Sequence, residues 1–386
     1  MKFAFFTGHF FPHLGGIERY TKELAFRLAA RGNECRIVTN NTERAPAEEM
    51  LGSLRVQRLP AWNSLSQQFP VTLPSPALVR VLAEVSRWRP HWIVTNTRYF
   101  PINLIATLAN IALYRTNHLH IEHGSDYVRF PSSLMTRISM AYDSSAAWLV
   151  CGRATMCVGV SRAVTSFMEG AFRRRFDGVL HNAVDAAAVE LQGPSLRERL
   201  GIATGAPVFG FAGRLVPEKG VLEVLAAFRG IERSLDGGRL LIAGSGPLEE
   251  EVRRQAGGTT SVHYLGPLDA SGMASFYRTV DIFAYPTSYP EGFPTVILEA
   301  GAYGKLVITT ERGSAREAIR DPSCGVIIPE HDRDALARAM EQFALRREER
   351  ETIGANLRNV VLERFDWERT VRDFLELTGC HDDDRK

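Results

Sequence analysis

The stretch Val208-Phe209-Gly210-Phe211-Ala212-Gly213-Arg214-Leu215-Val216-Pro217-Glu218-Lys219-Gly220 decides the fold. Its first five residues form an unbroken apolar run, the pattern of a strand buried on both faces. A glycine and a charged loop follow and lead into a helix. The same order already opens the chain. Lys2–Thr7 reads as a strand, and a helix starts near Ile17 with Tyr20, Leu24, Ala25 and Leu28 at helical spacing and Gly32 just past its end. The pattern at Val208 is therefore a second beginning.

Further strands are expected at Cys35–Thr39, Leu54–Leu59, Trp92–Thr95, His118–Glu122, Met156–Val160 and Val179–His181 in the first half. Arg239–Ala243, Val262–Leu265, Ile282–Tyr285, Leu306–Thr309 and Val326–Ile328 follow in the second, separated by helical segments. Strands alternating with helices make parallel sheets covered on both faces. Two α/β units in series result, with a turn-rich break at Gln192-Gly193-Pro194-Ser195 and a hinge near residues 183–206. A length of 386 residues suits two domains. The expected division is 1–190, 191–365, and a terminal helix with a frayed tail over 366–386.

Composition narrows the class. Hydrophobic residues make up 45% and charged residues 23%, which excludes disordered and fibrous chains. The net charge of +2 conceals an asymmetry: residues 1–190 hold 21 Lys/Arg against 14 Asp/Glu, and residues 191–386 hold 25 against 30. A basic first half suits a membrane surface, a diphosphate lipid or a nucleic acid, or is merely a solvated surface. The five cysteines are scattered without a C-x-x-C pair, so neither zinc nor a disulfide framework is indicated and reduced thiols are expected. The apolar start is too brief for a secretory signal, and no run of 18 apolar residues occurs. The segment Phe100 to Tyr114 is read as a buried helix. The loop Pro60 to Pro76, with Trp62, Leu65, Phe69, Val71 and Leu73, is either a packed surface loop or an apolar edge that meets lipid or acceptor. A soluble cytoplasmic location is the expectation.

Three clusters bear chemistry. Gly15-Gly16 precedes the helix at Ile17, where backbone N–H groups and a partial positive charge face any anion; it is neither a G-x-G-x-x-G fingerprint nor a Walker loop. In the loop after Ala212, Arg214 offers bidentate donors and Lys219 a point charge, a combination suited to a diphosphate, or else to a solvated turn with Lys219 paired to a nearby Glu. Glu291 and Glu299 bracket Gly292-Phe293-Pro294-Thr295-Val296-Ile297-Leu298, at the mouth of a helix and just over two turns inside it. A carboxylate deep in an apolar helix needs hydrogen-bond donors, such as sugar hydroxyls or a neighbouring backbone. No D-x-D metal motif and no evident nucleophile stand out.

Taken in order, these clusters resemble glycosyltransferase family 4, retaining enzymes of the GT-B fold. The resemblance also rests on His123-Gly124, Val158-Gly159-Val160-Ser161, Asn182-Ala183-Val184-Asp185, Gly244-Ser245-Gly246-Pro247-Leu248, Leu265-Gly266 and Phe365-Asp366-Trp367. It implies an α/β architecture of two Rossmann-like domains whose parallel sheets face across a cleft, with the last helix crossing back to the first domain. The first domain would bind the acceptor and the second a nucleotide diphosphate sugar. Arg214 and Lys219 would hold the diphosphate in place of a metal ion, aided by N–H groups of Gly16, Thr295 and Val296. Glu299 would bind the ribose, Glu291 the transferred sugar, and the segment around Leu268 the base, with Gly244, Gly292 and Phe293 completing the donor contacts. Catalytic roles fall to Glu291, His123, Arg214 and Lys219, and acceptor contacts to Gly15 and Asp126. Ala183 and Pro294-Thr295 depart from the family's common Gly and Gly-Leu.

The implied activity is retaining, metal-independent transfer of a hexose from a GDP- or UDP-sugar to a glycan or lipid-linked acceptor, by front-face attack and without a cofactor. Cell-surface polysaccharide or glycolipid synthesis is the implied setting, with loose contact to anionic membrane. Other GT-B activities such as a sugar-nucleotide epimerase or a glycan phosphorylase, a dehydrogenase, and a non-catalytic nucleotide-sugar-binding module are the competing readings. The missing dinucleotide fingerprint counts against the dehydrogenase. Nucleic acid is not expected, for want of a recognition motif.

Overall fold

The continuous apolar runs become the central strands of two sheets in the computed structural model, which describes residues 1–13, 15–63, 69–128, 132–186, 189 and 195–380. One unit comprises Met1–Asn182 with Trp367–Lys386, the other Ala183–Asp366. Leu65, residues 192–194 of the expected break and the tail 381–386 lie outside the described residues.

The first unit contains β1 (Lys2–Thr7), β2 (Glu34–Asn40), β3 (Glu48–Leu51), β4 (Leu54–Leu59), the small pair β5 (Ala61–Trp62) and β6 (Val71–Thr72), β7 (Trp92–Asn96), β8 (Asn117–Glu122), β9 (Met156–Gly159) and β10 (Gly178–Val179). The main sheet runs β10-β9-β8-β7-β1-β2-β4-β3. Its neighbours pair in parallel except β3 with β4. Phe3, Ala4, Phe5 and Phe6 of β1 are all fully buried, which is why this strand reads as one apolar block rather than an alternation. Helices α1 (Gly16–Ala30), α2 (Pro76–Trp88), α3 (Pro101–Ala109), α4 (Ser133–Arg153) and α5 (Arg162–Phe172) connect the strands. Ser132 and Ser161 cap α4 and α5 by accepting from the N–H of Met135 and Val164.

The second unit holds β11 (Val208–Ala212), β12 (Arg239–Ala243), β13 (Val262–Gly266), β14 (Ile282–Tyr285), β15 (Leu306–Thr310) and β16 (Val326–Ile328). Their order is β13-β12-β11-β14-β15-β16, with parallel pairing throughout. This is the doubly wound order whose direction reverses between β11 and β14. Its helices are α6 (Leu196–Arg199), α7 (Val221–Ile231), α8 (Glu249–Ala256), α9 (Ala270–Thr279), α10 (Thr295–Ala302), α11 (Ala315–Ala318), α12 (Arg333–Leu345) and α13 (Arg347–Arg364). The last helix, α14 (Trp367–Leu377), belongs to the first unit. Trp367, Thr370, Val371, Phe374 and Leu375 line its buried stripe. Phe374 meets Phe3 at 5.2 Å between ring centroids, Trp367 meets Tyr20 at 5.3 Å, and the Trp92 indole N–H donates to the Thr378 carbonyl at 3.2 Å.

Several elements differ from expectation. Strand β3 and the β5/β6 pair are short and part-exposed, so no apolar run announces them. The strand expected at Val179–His181 is Gly178–Val179, although the Leu180 N–H still donates to Gly159. The segment Phe100 to Tyr114 is α3 followed by a π turn, Asn110–Tyr114, and it is buried on one side only. Asn103 lies on that side because its amide donates to the carbonyls of Asn96 and Thr97, both at 2.6 Å; Leu108, Ile111 and Leu113 face outward.

Where β11 and β12 end, backbone meets backbone. Gly244 has φ +129°, and a Cβ there would stand 1.9 Å from the Gly213 carbonyl oxygen. Gly244→Ala is expected to destabilise the protein by about 2–3 kcal/mol. Gly230→Ala, within α7 and with open space around its Cα, is expected to be neutral or to stabilise by up to about 1 kcal/mol. Urea denaturation of the two variants checks both signs.

Candidate active site

In the second unit every strand delivers its carboxyl end to the same sheet edge, and the loops diverge where strand order reverses. The loop after β11 carries Arg214 and Lys219; the loop after β14 carries Glu291. Lys219 Nζ donates to Glu291 Oε1, and the two side chains are 14% and 13% exposed. Tyr285, the last residue of β14, donates its hydroxyl to the same oxygen at 2.8 Å. Burial and the adjacent Glu291 carboxylate hold the Tyr285 phenol well above its usual range. The Lys219 ammonium also lies 4.6 Å from the centre of the Tyr289 ring. The two residues expected to bind the donor are thus joined to each other in a largely buried pair. Arg214 is exposed, and among the described residues no carboxylate pairs with its guanidinium. Gly313 fixes the Glu291 backbone from behind: it has φ +62°, and a Cβ would stand 2.3 Å from the Glu291 carbonyl oxygen.

Helix α10 begins at Thr295, so Glu299 stands about one turn inside it rather than two. Its burial among apolar neighbours is offset by the Tyr277 hydroxyl, which donates to Oε2 at 2.9 Å. Pro294 gives the helix no side-chain cap. The N–H groups of Thr295 and Val296 have no hydrogen-bond partner among the described residues, which leaves donors and the positive end of the helix dipole for an anion. Gly292 is half-buried just ahead of it. Phe293 is buried against Phe365, 5.1 Å between ring centroids, so its backbone is what remains for a ligand. Gly244 follows β12 and accepts from the Tyr264 hydroxyl at 2.8 Å; Leu268 is half-buried just past β13.

In the first unit the loop after β8 carries His123, and a buried ionic cluster holds it. Glu122 Oε1 accepts from the N–H groups of His123 and Gly124, at 2.9 and 2.8 Å. Its Oε2 accepts from the Arg98 backbone N–H and Nη1, both at 3.1 Å. Buried Arg98 also reaches Asp143 Oδ2 on α4 at 2.8 Å, and its Nη2 lies 3.4 Å from the Asp126 carbonyl. Burial pushes the Glu122 carboxyl up, but Arg98 and the hydrogen bonds from His120 and Gly124 leave it well below the usual carboxylate range. Burial raises Asp143 to about 6 against the pull of Arg98. The His123 ring nitrogen Nε2 lies 3.1 Å from Asn96 Oδ1, and burial lowers its pKa to about 4. His123 is therefore a neutral hydrogen-bonding group near pH 7.

Gly15 and Gly16 open α1 and are exposed. The buried Glu18 carboxylate curls over this helix start, within 2.3 Å of where a Gly15 Cβ would be. The anion-facing end expected there already has an internal carboxylate beside it. Asp126 is half-buried and accepts from the Tyr127 N–H at 2.7 Å. Arg98, Glu122, Asp143, Tyr277, Tyr285 and Gly313 escaped the sequence reading. A signal existed for Glu122 alone, since a charge closing the buried run His118-Leu119-His120-Ile121 demands a partner. Among the described residues no three His, Cys, Asp or Glu side chains gather as a metal site, and no helix is long and apolar enough to cross a membrane.

Two family profiles match: "Glycosyltransferase Family 4" over residues 14–188 and "Glycosyl transferases group 1" over residues 193–360. A GDP-mannose-dependent alpha-(1-6)-phosphatidylinositol monomannoside mannosyltransferase of Mycobacterium tuberculosis is 27% identical, over 96% of each chain. Sucrose-phosphate synthase from Thermosynechococcus elongatus superposes with a TM-score of 0.79 at 21% identity, covering 97% of this chain and 98% of that one. Anabaena HepE in complex with UDP-glucose gives 0.77 at 19%, covering 99% and 100%. The architecture is GT-B. The chain belongs to glycosyltransferase family 4.

The His123 shift has a definite sign. Between the ordinary histidine range and about pH 4 the unfolded chain binds a proton that folded His123 does not, so stability falls as pH drops through that window. His118, lowered to about 3 by burial, acts in the same sense; Asp143, raised to about 6, opposes both. His123→Asn removes one contribution. From pH 7 to pH 5 the variant is expected to lose on the order of 2 kcal/mol less stability than the native chain. Urea denaturation at both pH values checks this, and equal losses would mean that His123 titrates normally in the fold.

Proposed function

We propose that this glycosyltransferase moves a hexose from a GDP- or UDP-sugar to a glycan or lipid-linked acceptor, with retention and without a metal ion. The observation that carries the reading is the grouping at the second unit's switch point: exposed Arg214, the buried Lys219–Glu291 pair, and the open first turn of α10. Breaking the bond between the sugar's anomeric carbon and phosphate places negative charge on the leaving diphosphate. Arg214 is assigned a bidentate contact to it, Lys219 a point charge, and Thr295 and Val296 two backbone donors. When the diphosphate attracts Lys219, the Glu291 oxygen it leaves becomes an acceptor for a sugar hydroxyl. Glu299 is assigned the ribose hydroxyls, and neutral His123 a hydrogen bond to the transferred sugar.

Support for a nucleotide-sugar donor comes from the UDP-glucose complex of Anabaena HepE and the GDP-mannose dependence named for the mycobacterial relative. The phosphatidylinositol monomannoside in that relative's name supports a lipid-linked acceptor here. The excess of basic over acidic residues in the first half supports a cytoplasmic enzyme held loosely on an anionic membrane and serving surface polysaccharide or glycolipid synthesis.

Activity is expected to survive EDTA. Lys219→Ala is expected to cut kcat by about a hundredfold to a thousandfold with a smaller change in KM, because the charge it meets grows as the bond breaks. Initial rates with and without EDTA and Mg²⁺ check both; loss with EDTA, rescue by Mg²⁺ and a near-normal Lys219→Ala enzyme would overturn the metal-independent reading. Retention predicts an α-linked product from an α-linked donor. The anomeric coupling constant in the product's NMR spectrum measures this, and a β-linkage would remove the retaining mechanism.

A further inference from the structure

Helix α4 carries large apolar side chains on its outer face. Its buried face carries Ser139 and Asp143 along with Ala146, Ala147, Val150 and Cys151. Its outward face carries Leu134, Ile138 and Trp148, which are 66%, 55% and 74% exposed. These three fall at intervals of four and ten residues, which puts them along one side of the helix. Soluble helices place their apolar stripe toward the core. Here the polar residues of the inner face have structural duties. Asp143 pairs with Arg98, and the Ser139 hydroxyl lies 2.9 Å from the Tyr99 hydroxyl. Nothing inside the fold accounts for the outer three.

The exposed apolar surface continues on the neighbouring element. Helix α3 packs on α4, with Tyr99 just ahead of α3 meeting Tyr142 edge-on at 5.5 Å. Leu108, Ile111 and Leu113, on α3 and its π turn, also face solvent. The surrounding charge has one sign. Arg115, Arg137 and Arg153 are exposed, and the only acidic residue from 127 to 153 is the buried Asp143. From residue 101 to 175 there are eight arginines, no lysine and four acidic residues, two of which, Glu122 and Asp143, are buried in the Arg98 cluster.

We infer that this face of α4, extended by the outer side of α3, docks on an anionic bilayer surface. A tryptophan and branched aliphatics on one side of a helix, flanked by arginines, suit the headgroup boundary: the apolar groups enter the acyl edge and the guanidinium groups meet lipid phosphate. A second copy of the chain fits worse, because a two-fold contact would bring this arginine-flanked face against the same face of the other copy. The inference deepens the membrane contact proposed above and gives it a location. The anchor is α4 rather than the Trp62 loop or the Arg173-Arg174-Arg175 run, in which Arg174 is half-buried and donates to the Ala154 carbonyl. Docking there would hold the membrane close to the His123 loop, since α4 starts ten residues after His123 and its Asp143 grips the arginine that supports that loop.

The test is sedimentation of the full chain with vesicles of phosphatidylcholine alone and of phosphatidylcholine with phosphatidylglycerol. The native chain is expected to bind the anionic vesicles, and to be released by salt. Trp148→Glu with Ile138→Glu is expected to lower the bound fraction at least about tenfold, and Arg137→Glu with Arg153→Glu to abolish the preference for anionic lipid. Circular dichroism and donor binding by calorimetry, measured on the same samples, are expected to stay native. Donor binding without vesicle binding sinks this inference and spares the glycosyltransferase reading, whereas docking without donor binding does the reverse. Vesicle binding that the Trp148/Ile138 variant leaves intact overturns the location. A dimer by analytical ultracentrifugation that the same variant dissolves, with no vesicle binding, assigns the face to a second copy instead.

Discussion

A parallel sheet sends all its strand carboxyl ends to one edge, and the rest of this protein is arranged around that constraint. Each unit reverses strand order once, at β1/β7 in the first and β11/β14 in the second. The residues with candidate chemistry follow strand ends closely: Gly15 and Gly16 after β1, Arg98 after β7, His123 after β8, Arg214 and Lys219 after β11, Gly244 after β12 and Glu291 after β14. The loops at such an edge must pass one another at backbone distance, which is what the Gly213–Gly244 contact achieves. They also leave backbone donors that the ladder does not use, and each fold must decide what those donors hold.

The two units decide differently. In the first, an internal carboxylate occupies the donors: Glu122 takes the N–H groups of His123 and Gly124, and Glu18 covers the start of α1. In the second, the first turn of α10 is left with donors that no group among the described residues accepts from, and an exposed arginine stands in the loop after β11. The buried Lys219–Glu291 pair sits between these arrangements. Taking both charges out of water is costly, and the pair is sustained by the Tyr285 hydroxyl and the Tyr289 ring face. It holds a cation and an anion in place before any ligand arrives. Among the described residues, the loop after β8 thus has its donors satisfied by Glu122, whereas the first turn of α10 keeps donors for an anion, which supports the proposed place of the diphosphate in the second unit.

The strands were legible because burial on both faces writes itself as unbroken apolar runs; Val208–Ala212, Arg239–Ala243, Ile282–Tyr285 and Val326–Ile328 were bounded to the residue. Strands β3, β5 and β6 were not, since short part-exposed edge pieces carry no such run. In the candidate site, Arg214, Lys219, Glu291 and Glu299 were legible as charges in places where charge needs a reason. Their supports were not. Tyr277 and Tyr285 read as ordinary core aromatics, and only the fold brings each phenol within reach of its carboxylate, 22 residues on for Tyr277 and 6 residues on for Tyr285. The helix at Thr295 was placed too early because Gly292 and Phe293 look compatible with a first turn, while Pro294 in extended conformation delays it.

Helix α4 shows a limit of periodicity itself. Periodicity assigns the apolar side of a helix to the core, and it fails where the core itself is polar. Arg98 is buried and cannot shed its proton, so the elements around it must supply anions: Glu122 from β8 and Asp143 from the inner face of α4. Removing either carboxylate would leave a buried cation short of charge, so the inner face of α4 cannot be made apolar while Arg98 stays. That requirement explains the polar inner residues but places no demand on the outer ones, which could be lysine or glutamate at no loss to the fold. Leu134, Ile138 and Trp148 gain nothing by facing water, and large exposed apolar patches expose a soluble chain to aggregation. Their presence is therefore a property of what the helix touches outside the chain, and it is joined through Asp143 and Arg98 to the loop that carries His123.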